Sequence, residues 1–285
     1  MPEGSCRVQV GSICCTVLSD GYVTYPTSWF FPNADRDRLY QAFESRRQSH
    51  ETILSPYTCL LIETGRHVVL VDTGAGESSG TTGAILARLE VAGIRARHVD
   101  TVVLTHAHPD HVGGAVNAGG RPTFPNARYV ISEIEWDFWT SARPNLAALR
   151  LPAETKGSMG AVARRSLAAL RLQAEVVGGE IEIVPGVRAI PAPGHTPGHM
   201  AVVVSSDGRQ LLNAGDAAVH PLHLEEPEWE NGLDQDPALA LATRRSLAER
   251  AVAGNMHWMA FHFPFPSVGS IQARPEGGWK WTPGW

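Results

Sequence analysis

The stretch LTHAHPDHVGG, residues 104–114, places His106, His108, Asp110 and His111 within six positions and follows them with two glycines. Imidazole is the commonest metal ligand and is available as a neutral donor near pH 7. His106 and His108 stand two apart, and in extended backbone such residues point to the same side. Pro109 suits the first position of a helix. Successive residues of a starting helix diverge by about 100°, so Asp110 and His111 need not face the ion served by the first pair. The crowding points to two metal ions side by side. A single histidine is ordinarily a core or surface residue with a satisfied hydrogen bond; four ligand-type side chains at one strand end are harder to absorb into a fold.

A catalytic ion usually takes at least three protein ligands, so the rest must come from elsewhere. PAPGHTPGH supplies His195, with His199 close by and assigned a structural role; LLNAGDA supplies Asp216; MAFHFPFP supplies His262. Each lies at or just past an apolar strand, where loops carry function on a rigid frame. Singly, each reads equally well as a capping carboxylate or a hydrogen-bonded histidine.

The elements that must position them follow from the pattern. CRVQV, ICCTVL and YVTY read as short strands broken by Gly-Ser and Asp-Gly turns. YTCLLIETGRHVVLVDTG reads as a hairpin ending in Asp72, and HVDTVVLTH as a buried strand entering the histidine motif. Residues 133–142 and 157–172 read as helices, giving a helical insert at about 133–172. EIEIVPGVRAIPA and MAVVVSSDGRQLLNAGD are hairpins. DPALALATRRSLAERAVAG is a helix capped by Asp236 with Pro237 at its first position, and WMAFHF reads as the last buried strand. Strands cluster, helices intervene and strands return, which predicts two sheets covered by helices in one domain over residues 1–285 rather than a run of βαβ units.

Apolar residues make up 43% of the 285, enough for a large core, and the net charge is −5 with no basic run, which argues against a nucleic-acid backbone as partner. No apolar stretch is long enough to cross a bilayer, and the start MPEGSCRVQVGS lacks a leader pattern. Cys6, Cys14, Cys15 and Cys59 show no C-x-x-C spacing. A reducing cytoplasm and buried thiols are expected.

Taken together, T-H-A-H-P-D-H (105–111), G-H-T-P-G-H (194–199), G-D (215–216), His262 and V-D-T-G (71–74) resemble the metallo-β-lactamase superfamily over roughly residues 50–265. The resemblance implies an α+β fold, an αββα sandwich of two mixed sheets flanked by helices. It implies that His106, His108 and His195 hold one metal, that Asp110, His111 and His262 hold a second, that Asp216 bridges both, and that Asp72 orients a ligand histidine. It further implies two divalent ions, zinc first, with manganese, cobalt or iron able to fill the same nitrogen and oxygen donor set. Asp216 stands where many true β-lactamases carry cysteine or another residue, and His108 stands where flavin-linked diiron members carry glutamate. The HFPFPSVGSI and GGWKW stretches look like the branch of methyl parathion hydrolase and the larger acyl-homoserine lactonases. Some lactonases carry a tyrosine three residues past the bridging aspartate; here that residue is Val219.

The expected chemistry is the opening of a lactone or ester by a hydroxide shared between two ions, with slower phosphotriester hydrolysis alongside. Asp110 would pass a proton to the leaving alkoxide. His220 or His223 would replace the absent tyrosine. Trp29, Phe30, Phe31, Phe263 and Phe265 are candidates for an apolar entrance, although core packing is the commoner fate of any one of them. The partner is a small-molecule substrate, with no nucleic acid and no membrane, and a homodimer is compatible with the aromatic tail. Rival readings are a glyoxalase II-like thioesterase, which would need a basic pocket, a one-ion iron-dependent oxygenase of the persulfide dioxygenase type, and a non-enzymatic metal-binding protein.

Overall fold

Alternation of two buried faces builds both sheets of the computed structural model, which describes residues 4–76 and 80–285. In the first sheet β1 (Ser5–Val10), β2 (Ile13–Pro26), β3 (Thr52–Glu63) and β4 (Val68–Val71) run antiparallel. They continue in parallel through β5 (Thr101–Val103), β6 (Arg128–Ser132) and β7 (Ala174–Val177). The second sheet runs β8 (Ile181–Val184), β9 (Val187–Pro191), β10 (Met200–Ser206), β11 (Arg209–Asn213), β12 (His257–Met259), β13 (Val268–Ala273) and β14 (Trp279–Pro283) in spatial order. Only the β11–β12 pair in it is parallel. Helices α1 (Thr27–Phe30), α2 (Arg36–Ser45), α3 (Ile85–Val91), α4 (Pro109–Val112), α5 (Glu133–Thr140), α6 (Ala153–Leu170), α7 (Leu222–Glu225) and α8 (Pro237–Ala253) fill the connections.

Side chains of a strand alternate between faces, and here both faces are covered. Leu60, Ile62, Val69 and Val71 enter the core between the sheets with Val202, Val204, Leu211 and Met259. Their neighbours Leu61 and Leu70 face outward, under Leu89, Trp139 and Leu167 of α3, α5 and α6. On the far side Val203, Leu212 and Trp258 pack beneath Leu247, Ala248 and Ala251 of α8. The result is the expected αββα sandwich, and none of the described helices is long and apolar enough to cross a membrane.

Three expectations change. Asp20-Gly21 is not a turn: β2 is one strand with a bulge at that point. Asp20 is drawn inward, its carboxylate accepting hydrogen bonds from the backbone of Ala75, Gly83 and Ile85, so the chain kinks without reversing. WMAFHF is not the last strand: β12 stops at Met259, and β13 and β14 follow. The aromatic tail is thus an edge strand, with Trp279 and Trp281 buried against α8's side of the sheet. Finally, β7 was not expected, and α6 begins at Ala153, ahead of residue 157.

Candidate metal centre

Five strand ends deliver the site. Asp72 follows β4, His106 and His108 follow β5, His195 follows β9, Asp216 follows β11 and His262 follows β12. His108 is extended (φ −65°, ψ 152°) and Pro109 opens α4, so the motif leaves the strand and enters a helix within one residue. The rings of His106 and His108 lie 4.5 Å apart, on the same side. The two glycines after the motif let another loop close on it. A Cβ on Gly114 would sit 2.1 Å from the carbonyl oxygen of Thr73, and one on Gly113 2.4 Å from that of Ala75. Gly114 N–H donates to Gly74 O at 3.0 Å, and Thr73 donates to His111 O through both N–H and Oγ1.

The donors fall into two groups. His106, His108, His195 and Asp216 bring one ligand atom each within 4.8 Å of one another, as do Asp110, His111 and His262. Asp216 lies between them: Oδ1 is 3.4 Å from His111 Nε2, while Oδ2 is 3.4 Å from His195 Nε2 and 3.2 Å from His262 Nε2. Asp110 Oδ2 lies 3.3 Å from His262 Nε2.

Ordinary hydrogen bonding leaves this cluster unsatisfied. His106 Nε2, His111 Nε2 and Asp216 Oδ1 are buried and make no hydrogen bond, and His108 turns Nδ1 to 3.0 Å from His195 Nε2. An orphaned buried polar atom costs about 1–3 kcal/mol, so a cation is the natural partner for the converging lone pairs. The electrostatics agree. Burial holds the imidazoles of His106 and His108 well below their usual value, aided by neighbouring histidines. Burial opposes charge on His111 too, yet Asp216, Asp72 and Asp110 outweigh it and raise this ring well above its usual value. At His262, Asp216 and Asp110 likewise overcome burial and hold the ring up at about 9. Carboxylates thus collect positive charge at the very point where the second donor group converges. Nitrogen and oxygen donors without thiolate suit zinc and its first-row neighbours.

Three of the ligand rings are anchored from behind. Asp72 Oδ2 takes His111 Nδ1 at 2.8 Å, while its Oδ1 accepts from Thr105 N–H at 2.8 Å. His195 Nδ1 meets Asp234 Oδ1 at 2.9 Å, and Arg244, itself 2% exposed, stands 3.6 Å behind Asp234. Ser55 Oγ lies 2.8 Å from His262 Nδ1. His199 has the structural part expected of it: Nδ1 donates to Ala192 O, and Nε2 accepts the N–H of Asp216 at 3.0 Å. Such partners fix the tautomer and aim the remaining nitrogen inward.

A cavity of about 280 Å³ opens over the donors, with His108, Asp110, His195, Asp216 and His262 in its lining. Trp29 and Phe30 line it, and Leu151 and Met159 of the helical insert add to the wall. Phe31, His220, His223 and Phe265 do not belong to it. Phe31 stacks on His223 at 4.5 Å and meets Phe43, His220 and Trp229 edge-on. His223 Nε2 donates to Phe30 O, and His220 Nδ1 accepts from Leu222 N–H. Phe265 packs against the core between the sheets, and Phe263 lies in the core under α8. Three consecutive aromatics at the end of a helical turn diverge by about 100° each, so they cannot all face one cavity.

The phenols that the sequence reading missed are Tyr25 on β2 and Tyr57 on β3. Both line the cavity, and their hydroxyls hydrogen-bond to each other. Burial raises both above the usual phenol value, as does the nearby Asp110 carboxylate, so they stay protonated.

An N-acyl homoserine lactonase from a Bacillus species is 26% identical over 238 residues, covering 75% of this chain and 85% of that protein. Among solved structures, AidC, a dizinc quorum-quenching lactonase in complex with a product, has a TM-score of 0.93 at 27% identity, covering 99% of this chain and 98% of that one. The hydrolase AbOPH of the β-lactamase superfamily shares the fold, with a TM-score of 0.89 at 24% identity, over 100% of this chain and 99% of that one. The profile of the metallo-β-lactamase superfamily matches residues 53–254, and the chain belongs to that superfamily.

Proposed function

We propose that this metal-dependent hydrolase opens lactones of the N-acyl homoserine lactone type with two zinc ions. His106, His108 and His195 would hold one ion and Asp110, His111 and His262 the other, with Asp216 lying between the two groups. The observation that carries the reading is the cavity beside the two donor groups, which joins apolar walls (Trp29, Phe30, Met159, Leu233) to a phenol pair. The lactonase relatives support the substrate class.

When bound, the divalent ions acidify water to near neutral pH and draw charge from a carbonyl oxygen. The chain supplies the rest. Asp72, Asp234 and Ser55 keep the ligand rings aimed. The apolar wall takes an acyl chain. Tyr25 and Tyr57 own two hydroxyl protons and spend one on each other, which leaves one for the carbonyl oxygen as its negative charge grows. Burial opposes charge on Asp110, yet His111 and His262 hold its carboxyl down at about 2, so it is ionised and would take a proton from the attacking water and pass it to the departing alkoxide. The double variant Tyr25→Phe/Tyr57→Phe is therefore expected to lower kcat by about 10²-fold with little change in KM; steady-state kinetics with an acyl lactone check this, and an unaltered kcat would remove the phenols from the account.

A glutathione thioester would require a basic pocket. Arg244 is instead committed to Asp234 and to the carbonyls of Ala217, Pro227 and Trp229, and Arg245 to Glu228. The reading is tested by a panel of acyl lactones, S-lactoylglutathione and a phosphotriester with the zinc-loaded protein. Lactone kcat/KM is expected to lead by at least about tenfold, with phosphotriester turnover present but slower; a faster thioester would reverse the assignment.

A further inference from the structure

Glu135 lies on α5, outside both donor groups, and is 0% exposed. A buried carboxylate survives only if its oxygens are fully occupied, and here four donors converge on it. Oε1 accepts from Ala107 N–H at 3.0 Å and Trp139 Nε1–H at 2.6 Å; Oε2 accepts from Thr196 Oγ1–H at 2.7 Å and Gly198 N–H at 3.0 Å. Ala107 is the residue between His106 and His108. Thr196 and Gly198 follow directly on His195. One side chain therefore ties together the two loops that carry the three histidines of the first donor group. The approach is close enough that a Cβ on Gly198 would fall 2.2 Å from Glu135 N. His111 is braced by Asp72, and His262 Nδ1 by Ser55 Oγ at 2.8 Å together with the Pro56 carbonyl at 3.1 Å.

We propose that Glu135 is a positioning residue for one ion alone, fixing the spacing of His106 and His108 against His195, while Ser55 performs the corresponding service for the other ion through His262. The two affinities are thereby set by separate residues. This rests on the two-ion reading above. A carboxylate that merely stabilised the fold would affect both ions alike.

Glu135→Gln preserves size but offers one acceptor oxygen instead of two, so its amide N–H₂ must face donors. Thr196 can turn its hydroxyl to accept; the N–H groups of Ala107, Gly198 and Trp139 cannot. Metal-free wild type, Glu135→Gln, Thr196→Val and Ser55→Ala are titrated with Zn²⁺ against a competing chelator, and with Co²⁺ followed by its visible spectrum. Glu135→Gln is expected to weaken one of two binding events by about 10–100-fold and leave the other within about threefold. Thr196→Val, which deletes a single hydrogen bond and keeps the carboxylate, weakens the same event by a few fold even if Glu135→Gln does not fold. Ser55→Ala weakens the opposite event. Equal loss at both ions, or wild-type affinities in folded Glu135→Gln or Thr196→Val, overturns the proposal while leaving the two-ion reading standing. A wild type that binds one ion overturns both, and wild-type lactone turnover, measured separately, reports on the substrate assignment.

Discussion

Asp216→Ala is expected to bind no more than one ion tightly and to lose roughly 10³-fold or more in kcat, the scale of removing a principal stabiliser of the transition state. Asp216 is 4% exposed, and its two oxygens lie within 3.2–3.4 Å of Nε2 on His111, His195 and His262. Without it, two cations would sit close together in a buried site with no shared anion, and Coulomb repulsion at low dielectric is severe. The backbone at this point is held independently, by the Asp216 N–H to His199 Nε2, so the variant should fold. Metal analysis of the purified variant beside its kinetics decides the matter: a protein retaining both ions and full turnover would show that Asp216 does not bridge.

Removal of metal carries the second large effect. Each ion present at 100 times its Kd stabilises the native state by about 2.7 kcal/mol. Two ions give about 5 kcal/mol, and at about 2–4 °C per kcal/mol for a domain of this general size the melting temperature should fall by roughly 10–20 °C on chelation. The cause is local: His106 Nε2, His111 Nε2 and Asp216 Oδ1 lose their partner at once. The loss also depends on pH. In the metal-free protein His262 is held up at about 9 by Asp216 and Asp110, which overcome its burial. Against an unfolded value near 6.5, that shift stabilises the metal-free form fully below pH 6.5 and fades as pH rises through 9. The gap between loaded and stripped melting temperatures should therefore widen from pH 6.5 to 9. Calorimetric melts at three pH values check it; a constant gap would mean that His262 carries no extra proton when metal is absent.

The donor set was legible because its members sit at strand ends in short, ligand-dense motifs, and the outer frame because the strands and helices keep their periods. The rest depends on contacts that sequence spacing does not express. Glu135 sits in EIEWDFW like any acidic residue of an amphipathic helix; its partners Ala107 and Gly198 donate backbone N–H groups from loops 28 and 63 residues away. Tyr25 and Tyr57 come together only because β2 pairs with β3 across a bulge. Asp234 stands in a loop 39 residues from His195, and only the fold brings its carboxylate to that ring. The aromatic run Trp29–Phe31 misled because consecutive residues were given a common direction, whereas the helical turn sends Phe31 toward Phe43 and His223. The tail packs on the body through Trp279 and Trp281, and it is their alternate burial, with Lys280 exposed between them, that marks a strand.

The central claim is that two cations are gripped on either side of Asp216. Anomalous diffraction at the zinc edge from crystals of zinc-loaded protein tests it most directly. The account predicts two peaks per chain, one within coordination distance of His106, His108 and His195 and one of Asp110, His111 and His262, with Asp216 reaching both. A single peak, or two peaks away from these side chains, would contradict it.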